Sequence, residues 1–302
     1  MSTARAIGID IGGSRLRAAL IDASGAILAR RETTTLAQAG PAAVIAQVVD
    51  LVAQILPDGE RAGLAGAGIA CPGPLDTEKG LALGIPTLAG WSGIPIASMI
   101  ETALGLPVRL ENDGIAAAIG EWKFGAGRGL RHLAYITVST GIGGGVVLDG
   151  KPLHGRMGMA GHVGHMTVQR DGALCPCGNR GCWEAYAAGT AFGLRISQST
   201  GTMAGGDPKS VFAAARSGDP DAAALVAEEA DWLGVGIANL LHLYSPDCVV
   251  IGGGISNGFA LLEPGIRARL HRNAMPAFRD VPIMVAGLGE NAGLVGAAAM
   301  LF

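Results

Sequence analysis

Two segments of the chain, residues 5–22 and 133–149, repeat one plan: an apolar strand, a glycine-rich turn, a second apolar strand and a turn containing aspartate. A polar residue opens the first turn of each copy, Asp10 in one and Ser139 in the other, and these two lie 129 residues apart. The aspartates that close the copies, Asp22 and Asp149, lie 127 residues apart. This agreement predicts an internal duplication, with two similar lobes.

Strand and helix patterns alternate in the rest of the chain. The apolar spacing predicts helices over 41–56, 114–124, 221–243 and 292–301, and strands over 61–70, 107–110, 247–251 and 281–285. Such alternation is typical of an α/β fold that binds ligands at the carboxyl ends of its strands. We predict a small first lobe over residues 1–112, a larger lobe over 113–290, and a helix over 291–302 that packs back onto the first lobe.

Composition and charge limit the class of partner. The chain has 302 residues, 49% of them hydrophobic, which is enough for one large core or two ordinary domains. Its net charge is −3 and it has no run of Lys or Arg, which argues against binding to DNA, RNA or an anionic membrane. No apolar stretch reaches the roughly 18 residues of a membrane span, and no signal-peptide pattern precedes the first strand. We expect a cytoplasmic protein that binds a small neutral or anionic molecule.

The glycine-rich turns are candidate phosphate-binding sites. Consecutive backbone N–H groups in Gly12-Gly13-Ser14 and in Thr140-Gly141 can face anionic oxygens, and Asp10 can hold Mg²⁺ directly or through water. An ordinary hairpin explains either turn alone. Because both turns occur together with a third, at residues 252–254, we favour ATP bound between two lobes.

The pair Asn112-Asp113 follows a predicted strand and precedes a predicted helix. Asp113 can cap that helix, which is a structural role. It can equally act as a general base that takes the proton from a substrate hydroxyl as the hydroxyl attacks the γ-phosphorus of ATP. In that case Asn112 would donate to and accept from neighbouring hydroxyls. Position in the sequence supports both roles of Asp113 equally.

The most specific motif consists of three cysteines within eight residues: Cys175, Cys177 and Cys182. In a reducing compartment this spacing favours a metal site over disulfides, and over unliganded cysteines. One histidine would complete a closed Cys₃His tetrahedron, the structural kind of zinc site. We favour His165 as the fourth ligand, with His162 as the alternative. Glu184, two residues after the last cysteine, would then be oriented by the zinc-bound loop.

Taken together, these motifs resemble the ROK family (repressor, open reading frame, kinase), in order and over nearly the whole chain. The matching segments are Asp10-Ile-Gly-Gly-Ser14, Glu111-Asn112-Asp113, Ser139-Thr140-Gly141-Ile-Gly-Gly, Gly161-His162-Val-Gly-His165 and the cysteine segment that ends at Glu184. The resemblance implies a two-lobed, actin-like, ribonuclease-H-like ATPase fold with a zinc-bound loop. It also implies ATP with Mg²⁺, structural Zn²⁺, a hexose or N-acetylhexosamine phosphorylated at O6, and a homodimer.

The resemblance implies a role for each matching residue. Asp113 would be the catalytic base. The sugar would contact Gly73, Thr87, Asn112, Asp113, His162, His165 and Glu184. The nucleotide site would contain Asp10, Gly12, Gly13, Ser14, Thr140, Gly141, Gly253 and Gly254. Zinc would be held by His165, Cys175, Cys177 and Cys182.

Two departures from the usual family pattern bear on the sugar. Most ROK sugar kinases have Glu where this chain has His162, and several bacterial N-acetylmannosamine kinases have His there. An imidazole can donate and accept hydrogen bonds, which suits an acetamide better than a carboxylate does. Thr87 replaces an Asn frequent in glucokinases, although the cysteine segment is similar to that of actinobacterial glucokinases. We therefore expect an N-acetylmannosamine kinase. The alternatives are a glucokinase or glucomannokinase, and a non-catalytic sensor that binds sugar and nucleotide.

Overall fold

A computed structural model of the chain describes residues 4–56, 61, 63–203 and 205–302. The described strands are β1 (Arg5–Ile11), β2 (Arg15–Asp22), β3 (Ile27–Thr34), β4 (Leu64–Cys71), β5 (Leu75–Asp76), β6 (Leu81–Ala82), β7 (Val108–Asn112), β8 (Leu133–Val138), β9 (Ile142–Leu148), β10 (Lys151–Pro152), β11 (Cys248–Gly252) and β12 (Ile283–Val285). The described α-helices are α1 (Pro41–Ile55), α2 (Ile96–Leu104), α3 (Asp113–Phe124), α4 (Glu184–Ala187), α5 (Gly189–Gln198), α6 (Pro208–Arg216), α7 (Pro220–Tyr244), α8 (Phe259–Asn273) and α9 (Ala292–Ala299). None of the described helices is long and apolar enough to cross a membrane.

The structure divides into two compact units. The first comprises the described residues of 1–130, 145–161 and 286–302, and the second comprises those of 131–144 and 162–285. Both contain sheets with helices against them, so the predicted α/β class with two lobes is confirmed.

The sheet of the first unit has the order β3-β2-β1-β4-β7. β1 pairs antiparallel with β2 and parallel with β4, and β4 pairs parallel with β7. Asp10 therefore lies beside Ala70, and Asn112 lies beside Cys71, at the carboxyl ends of three neighbouring strands. α1 and α2 contribute apolar side chains to the core of this unit, among them Val48 and Ile100.

α9 packs against α3 and against strands β1 and β4 in the first unit. Small residues allow the close approach of the two helices, since a Cβ atom on Gly296 would lie 1.6 Å from the carbonyl oxygen of Ala116. The unit consequently includes α3, whereas the lobe that we predicted ends at residue 112. The compact units are defined by packing alone and are not the predicted lobes. The boundaries of the lobes therefore stay a prediction.

In the second unit β11 lies between β8 and β12 and pairs parallel with both. The long helix α7 begins after Asp219, whose side chain accepts a hydrogen bond from Ala222 N at 2.9 Å, with Pro220 in the first turn. Its inner face packs with Trp183, Phe192 and other apolar residues in one buried cluster.

Both predicted strand–turn–strand segments are present, as β1–β2 and as β8–β9. The predicted helices and strands agree with the observed elements to within a few residues, which is the usual uncertainty of boundaries. The tract from 151 to 182 contains only the short β10 and two 3₁₀ turns among its described elements, as expected for a functional loop region.

Candidate functional site

Two carboxylates of the first unit lie near one buried thiol. Asp10 is on β1 and Asp113 is the first residue of α3. Burial raises the pKa of the Cys71 thiol, and the charges of Asp113 and Asp10 raise it further. A Cβ atom on Gly293 would lie 3.7 Å from Oδ2 of Asp10 and 3.9 Å from the carbonyl oxygen of Asp113, so both adjoin the first turn of α9. The structure therefore groups the predicted Mg²⁺ ligand and the predicted base within one unit.

Asp10 has a cationic partner that our sequence analysis did not include. Arg17 lies directly opposite Asp10 across the β1–β2 hairpin, and its Nη2 donates to Oδ2 of Asp10. The other terminal nitrogen of Arg17, Nη1, donates to the carbonyl oxygen of Glu290 at 2.7 Å. Burial raises the pKa of Asp10, and Arg17 opposes that effect. The ion pair with Arg17 thus offsets part of the cost of burying the Asp10 carboxylate.

Asn112 caps α3. Its Oδ1 accepts hydrogen bonds from Gly114 N at 3.0 Å and from Ile115 N at 3.4 Å. The structural alternative, in which Asp113 is the cap, is therefore wrong, because Asp113 is already inside the helix. Oδ1 of Asp113 accepts a hydrogen bond from the N–H of the next residue, Gly114, at 2.8 Å. With its oxygen engaged in the cap, Asn112 keeps its Nδ2 group as a donor.

Thr87 lies against the glycine-rich turn that follows β1. A Cβ atom on Gly13 would lie 2.8 Å from Cβ of Thr87 and 3.2 Å from its Oγ1. Glycine is therefore required for this close approach, which brings a candidate sugar contact against a candidate phosphate-binding turn. Gly73, another candidate sugar contact, follows β4 and precedes a cis peptide bond to Pro74.

In the second unit Glu184 connects the cysteine segment to the β8–β9 turn. Oε2 of Glu184 accepts a hydrogen bond from Ile142 N at 2.8 Å. A Cβ atom on Gly141 would lie 2.4 Å from the same oxygen, so a larger residue would displace the carboxylate. Glu184 is the first residue of α4 and is partly buried.

A cavity of about 640 Å³ adjoins the same turn. Its walls include Thr140 and Gly254, and its charged and apolar residues are Asp207, Pro208, Lys209, Phe212, Arg216 and Ile255. Gly253 precedes Gly254 in the chain and has φ +84°. A Cβ atom at this position would lie 2.3 Å from the carbonyl oxygen of Val138, so both the backbone conformation and the packing require glycine. An apolar surface with a few charged groups is typical of small-molecule sites. The wall formed by residues 207–216 was not identified from the sequence.

Four ligand atoms of the second unit form a compact cluster, from His165, Cys175, Cys177 and Cys182, and all lie within 4.8 Å of one another. Sγ of Cys177 and Sγ of Cys182 are 3.7 Å apart, as are Sγ of Cys175 and Nδ1 of His165. Two sulfur ligands of a tetrahedral Zn²⁺ ion are about 3.8 Å apart, given Zn–S bonds of about 2.3 Å. The donor set and spacing therefore fit Zn²⁺.

The cysteines of this cluster are free thiols. Burial raises the pKa of Cys175 to about 12, so a bound cation would be needed to keep it as a thiolate at neutral pH. His162 is outside the four-residue cluster found among the described residues, and its ring centroid lies 6.3 Å from that of His165. The geometry thus favours His165 over His162 as the fourth ligand.

A His–Glu pair beside the start of α3 was also missed from the sequence. Nε2 of His154 lies 2.8 Å from Oε2 of Glu111, the residue that precedes Asn112. The two residues are 43 positions apart, and no local pattern links them. Arg17, in contrast, could have been found, because the register of the predicted hairpin puts it opposite Asp10.

The sequence matches the model of the ROK family over residues 6–302. It is 36% identical to a glucokinase of Thermotoga maritima over 314 aligned residues, covering 100% of this chain and 98% of the relative. It is 37% identical to an N-acetylmannosamine kinase of Escherichia coli over 295 residues, covering 97% and 96% of the two chains.

A crystal structure of a ROK family glucokinase from Streptomyces griseus, in complex with glucose and AMPPNP, has the same fold. The TM-score is 0.84 at 35% identity, with 98% of each chain covered. The fold class inferred from the motifs, a two-lobed α/β fold with a cysteine- and histidine-containing loop, is thereby confirmed. From the full-length match, the order of the motifs and the common fold, we conclude that this chain belongs to the ROK family.

Proposed function

We propose that this protein is an ATP-dependent sugar kinase that transfers the γ-phosphoryl group to the 6-hydroxyl of N-acetylmannosamine. The observation that carries the proposal is the start of α3, where Asn112 supplies the helix cap and leaves Asp113 without that structural role. Full-length relatives at 36% and 37% identity that are sugar kinases support the reaction class.

In the proposed reaction Asp113 is the general base. Its carboxylate takes the proton of the 6-hydroxyl as O6 bonds to the γ-phosphorus, while the bond from that phosphorus to the β,γ-bridging oxygen breaks and ADP leaves. The positive end of the α3 dipole favours the ionised form of a carboxylate in the first turn, which is the form that accepts a proton.

The glycine-rich turns would hold the phosphates through backbone N–H groups. In the first unit this role falls to Gly12, Gly13 and Ser14, and in the second to the turns that contain Thr140-Gly141 and Gly253-Gly254. The cavity lined by Phe212, Lys209 and Asp207 offers an apolar wall for a nucleobase and polar groups for a ribose.

Two metal ions have distinct roles in this proposal. Mg²⁺ bound to ATP would neutralise phosphate charge, and Asp10 would hold it through water, because Arg17 already occupies one carboxylate oxygen. Zn²⁺ would be held by His165, Cys175, Cys177 and Cys182 and would stabilise the loop. A closed set of four ligands leaves no open position for catalysis. The role of that loop is to hold Glu184 in place.

The choice of N-acetylmannosamine rests on the proposed sugar contacts. Asn112, Thr87 and Gly73 of the first unit, and His162, His165 and Glu184 of the second, are the residues that we assign to sugar binding. His162 offers both a donor and an acceptor to an acetamide. The homodimer that the resemblance implies is part of the same proposal.

Glucose is the second candidate. Glucokinases at 36% and 35% identity are about as similar to this chain as the N-acetylmannosamine kinase at 37%. The catalytic residues would be unchanged, and only the contacts to the sugar C2 substituent would differ.

An ADP-release assay tests both candidates. The wild type would be measured with Mg-ATP against N-acetylmannosamine, N-acetylglucosamine, glucose and mannose, and compared by kcat/KM. We expect the highest value for N-acetylmannosamine. A preference for glucose would refute the assignment of His162 and Thr87 while leaving the kinase proposal intact, and no turnover of any sugar would refute the kinase proposal.

A further inference from the structure

Glu111, the last residue before Asn112, is a buried carboxylate with a different partner on each oxygen. Its side chain is 3% exposed. Oε1 accepts a hydrogen bond from the backbone N–H of Asn112 at 2.9 Å, and Oε2 lies 2.8 Å from Nε2 of His154. A buried carboxylate is costly unless its oxygens are paired, so the imidazole is needed to keep Glu111 in this position.

The position of Glu111 affects the start of α3. Its bond to the N–H of Asn112 fixes the peptide that leads into the helix cap. Asn112 then holds Gly114 N at 3.0 Å, and Asp113 lies between these two residues. Rotation of the Glu111 side chain would release that peptide and reorient Asp113. A displacement of about 1 Å in a reacting group can reduce a rate about 100-fold.

His154 is a donor on a well-fixed backbone. Its carbonyl oxygen accepts from Ala160 N at 2.9 Å, and Leu153 N donates to Val146 O at 2.8 Å. The imidazole is 47% exposed on the wall of a cavity of about 870 Å³ in the first unit. Solvent can therefore protonate it while the backbone keeps it directed at Glu111.

The hydrogen bond to Glu111 raises the pKa of His154 above its ordinary value of 6.5, although partial burial opposes this. A protonated imidazole makes a charge-assisted bond, about twice as strong as a neutral one. Because the pKa is raised in the folded state, the extra stabilisation is fully present below about pH 6.5. It is lost as the pH rises through the raised value.

Other charged groups face the same cavity: Glu78, Lys79, Glu101, Arg109, Glu111 and Lys123. Several of these have their own contacts, since Lys79 pairs with Asp76 and Lys123 donates to the carbonyl oxygens of Ala299 and Phe302. Glu101 accepts from Val108 N, and Arg109 donates to Met300 O. Among the described residues that line this cavity, His154 is the one imidazole.

We propose that His154 is a positioning residue for phosphoryl transfer, which holds Glu111 and thereby sets the orientation of Asn112 and Asp113. The inference rests on the proposed function, since it takes Asp113 to be the base. If it holds, a residue of the segment 145–161 affects the reaction rate although it does not contact the substrate.

Two substitutions separate the effect of hydrogen-bond donation by His154 from the effect of its charge. His154→Gln keeps an N–H donor at similar reach but has no charge to gain, whereas His154→Leu removes the donor. His271→Leu, at an exposed position of α8, is the matched control. Wild type and variants would be compared by kcat, by KM for ATP and for the sugar, and by unfolding temperature between pH 6 and 9.

We expect His154→Leu to lower kcat by about 10- to 100-fold with little change in KM for ATP. His154→Gln should keep kcat within about threefold of the wild type near neutral pH, because it retains a hydrogen-bond donor to Glu111 and loses only the added strength of the charge-assisted bond. It should also lack the alkaline decline in kcat that titration of His154 produces in the wild type. In a Glu111→Gln background, His154→Leu should have almost no further effect on kcat, since the two residues act as a unit.

An unchanged kcat in His154→Leu would overturn the proposal, as would an equal loss in the Gln and Leu variants. If His154→Leu does not fold, the pH profile of His154→Gln decides: a wild-type profile contradicts the positioning role, and a flattened profile supports it. Turnover by the wild type shows whether the kinase proposal holds, independently of the role of His154. No turnover of any sugar by the wild type would remove the proposed function and this inference with it.

Discussion

Replacement of Asp113 by Asn tests the proposed base while leaving the surrounding structure nearly unchanged. An Asn side chain keeps an oxygen for the N–H of Gly114, which Oδ1 of Asp113 accepts at 2.8 Å, and the helix cap is provided by Asn112. The substitution removes one negative charge from the first turn of α3, which costs about 0.3–1 kcal/mol. The unfolding temperature should therefore fall by no more than about 4 °C.

The effect on catalysis should be much larger. A positioned general base contributes about 10²- to 10⁴-fold, so the barrier should rise by about 3 to 5 kcal/mol in Asp113→Asn. We expect kcat to fall by that factor, while calorimetric binding of the sugar and of a non-hydrolysable ATP analogue stays near the wild-type value. Asp50→Asn, at an exposed position of α1, is the matched control for the chemical change.

Retention of kcat within about threefold would refute the assignment of Asp113 as the base. A large loss of kcat accompanied by a fall of 10 °C or more in unfolding temperature, or by loss of nucleotide binding, would show that Asp113 is instead structural. Asn112→Ala gives the reference for a structural defect at the same place. It removes the two bonds of the cap and should cost about 1 kcal/mol of stability.

Three further predictions concern the second unit. Arg195→Met leaves Glu229, which is 0% exposed, without its cation. Burial raises the pKa of Glu229 to about 8, so the loss should be about 3–5 kcal/mol in chemical denaturation above pH 8, where the carboxylate is ionised, and smaller at neutral pH. Adding Glu229→Leu should restore much of the loss, and equal stability of the single variant and the wild type above pH 8 would contradict this. Cys177→Ser, at an exposed position, should reduce bound zinc to well below one ion per chain and lower the unfolding temperature by about 5 °C or more; one retained zinc with unchanged melting would exclude Cys177 as a ligand. His162→Glu should increase the ratio of kcat/KM for glucose to that for N-acetylmannosamine by about tenfold, and an unchanged ratio would exclude His162 as a specificity residue.

Local sequence signals predicted much of the fold and part of the candidate site. The glycine-rich turns after β1 and β8, the start of α3 and the cysteine cluster each depend on residues that are close together in the chain. Apolar periodicity predicted helices such as α7, because one side of it packs into the core around Trp183.

The remaining features depend on contacts between distant parts of the chain. His154 and Glu111 are 43 residues apart, and Arg195 and Glu229 are 34 apart, so their pairing follows from the tertiary fold. The Asp10–Arg17 pair is an intermediate case, since strand register alone is sufficient to find it. The inclusion of α3 in the first unit likewise follows from its packing on α9, which no local pattern indicates.

The most direct test of the proposed reaction is identification of the product by two-dimensional ³¹P–¹H NMR after incubation of the wild type with Mg-ATP and N-acetylmannosamine. We expect ADP and a sugar phosphate in equal amounts, with the ester phosphorus coupled to the two protons on C6, and neither product from Asp113→Asn within the same time. Phosphorus coupled to the proton on C1, or ADP formed together with free phosphate and no sugar ester, would contradict transfer to the 6-hydroxyl.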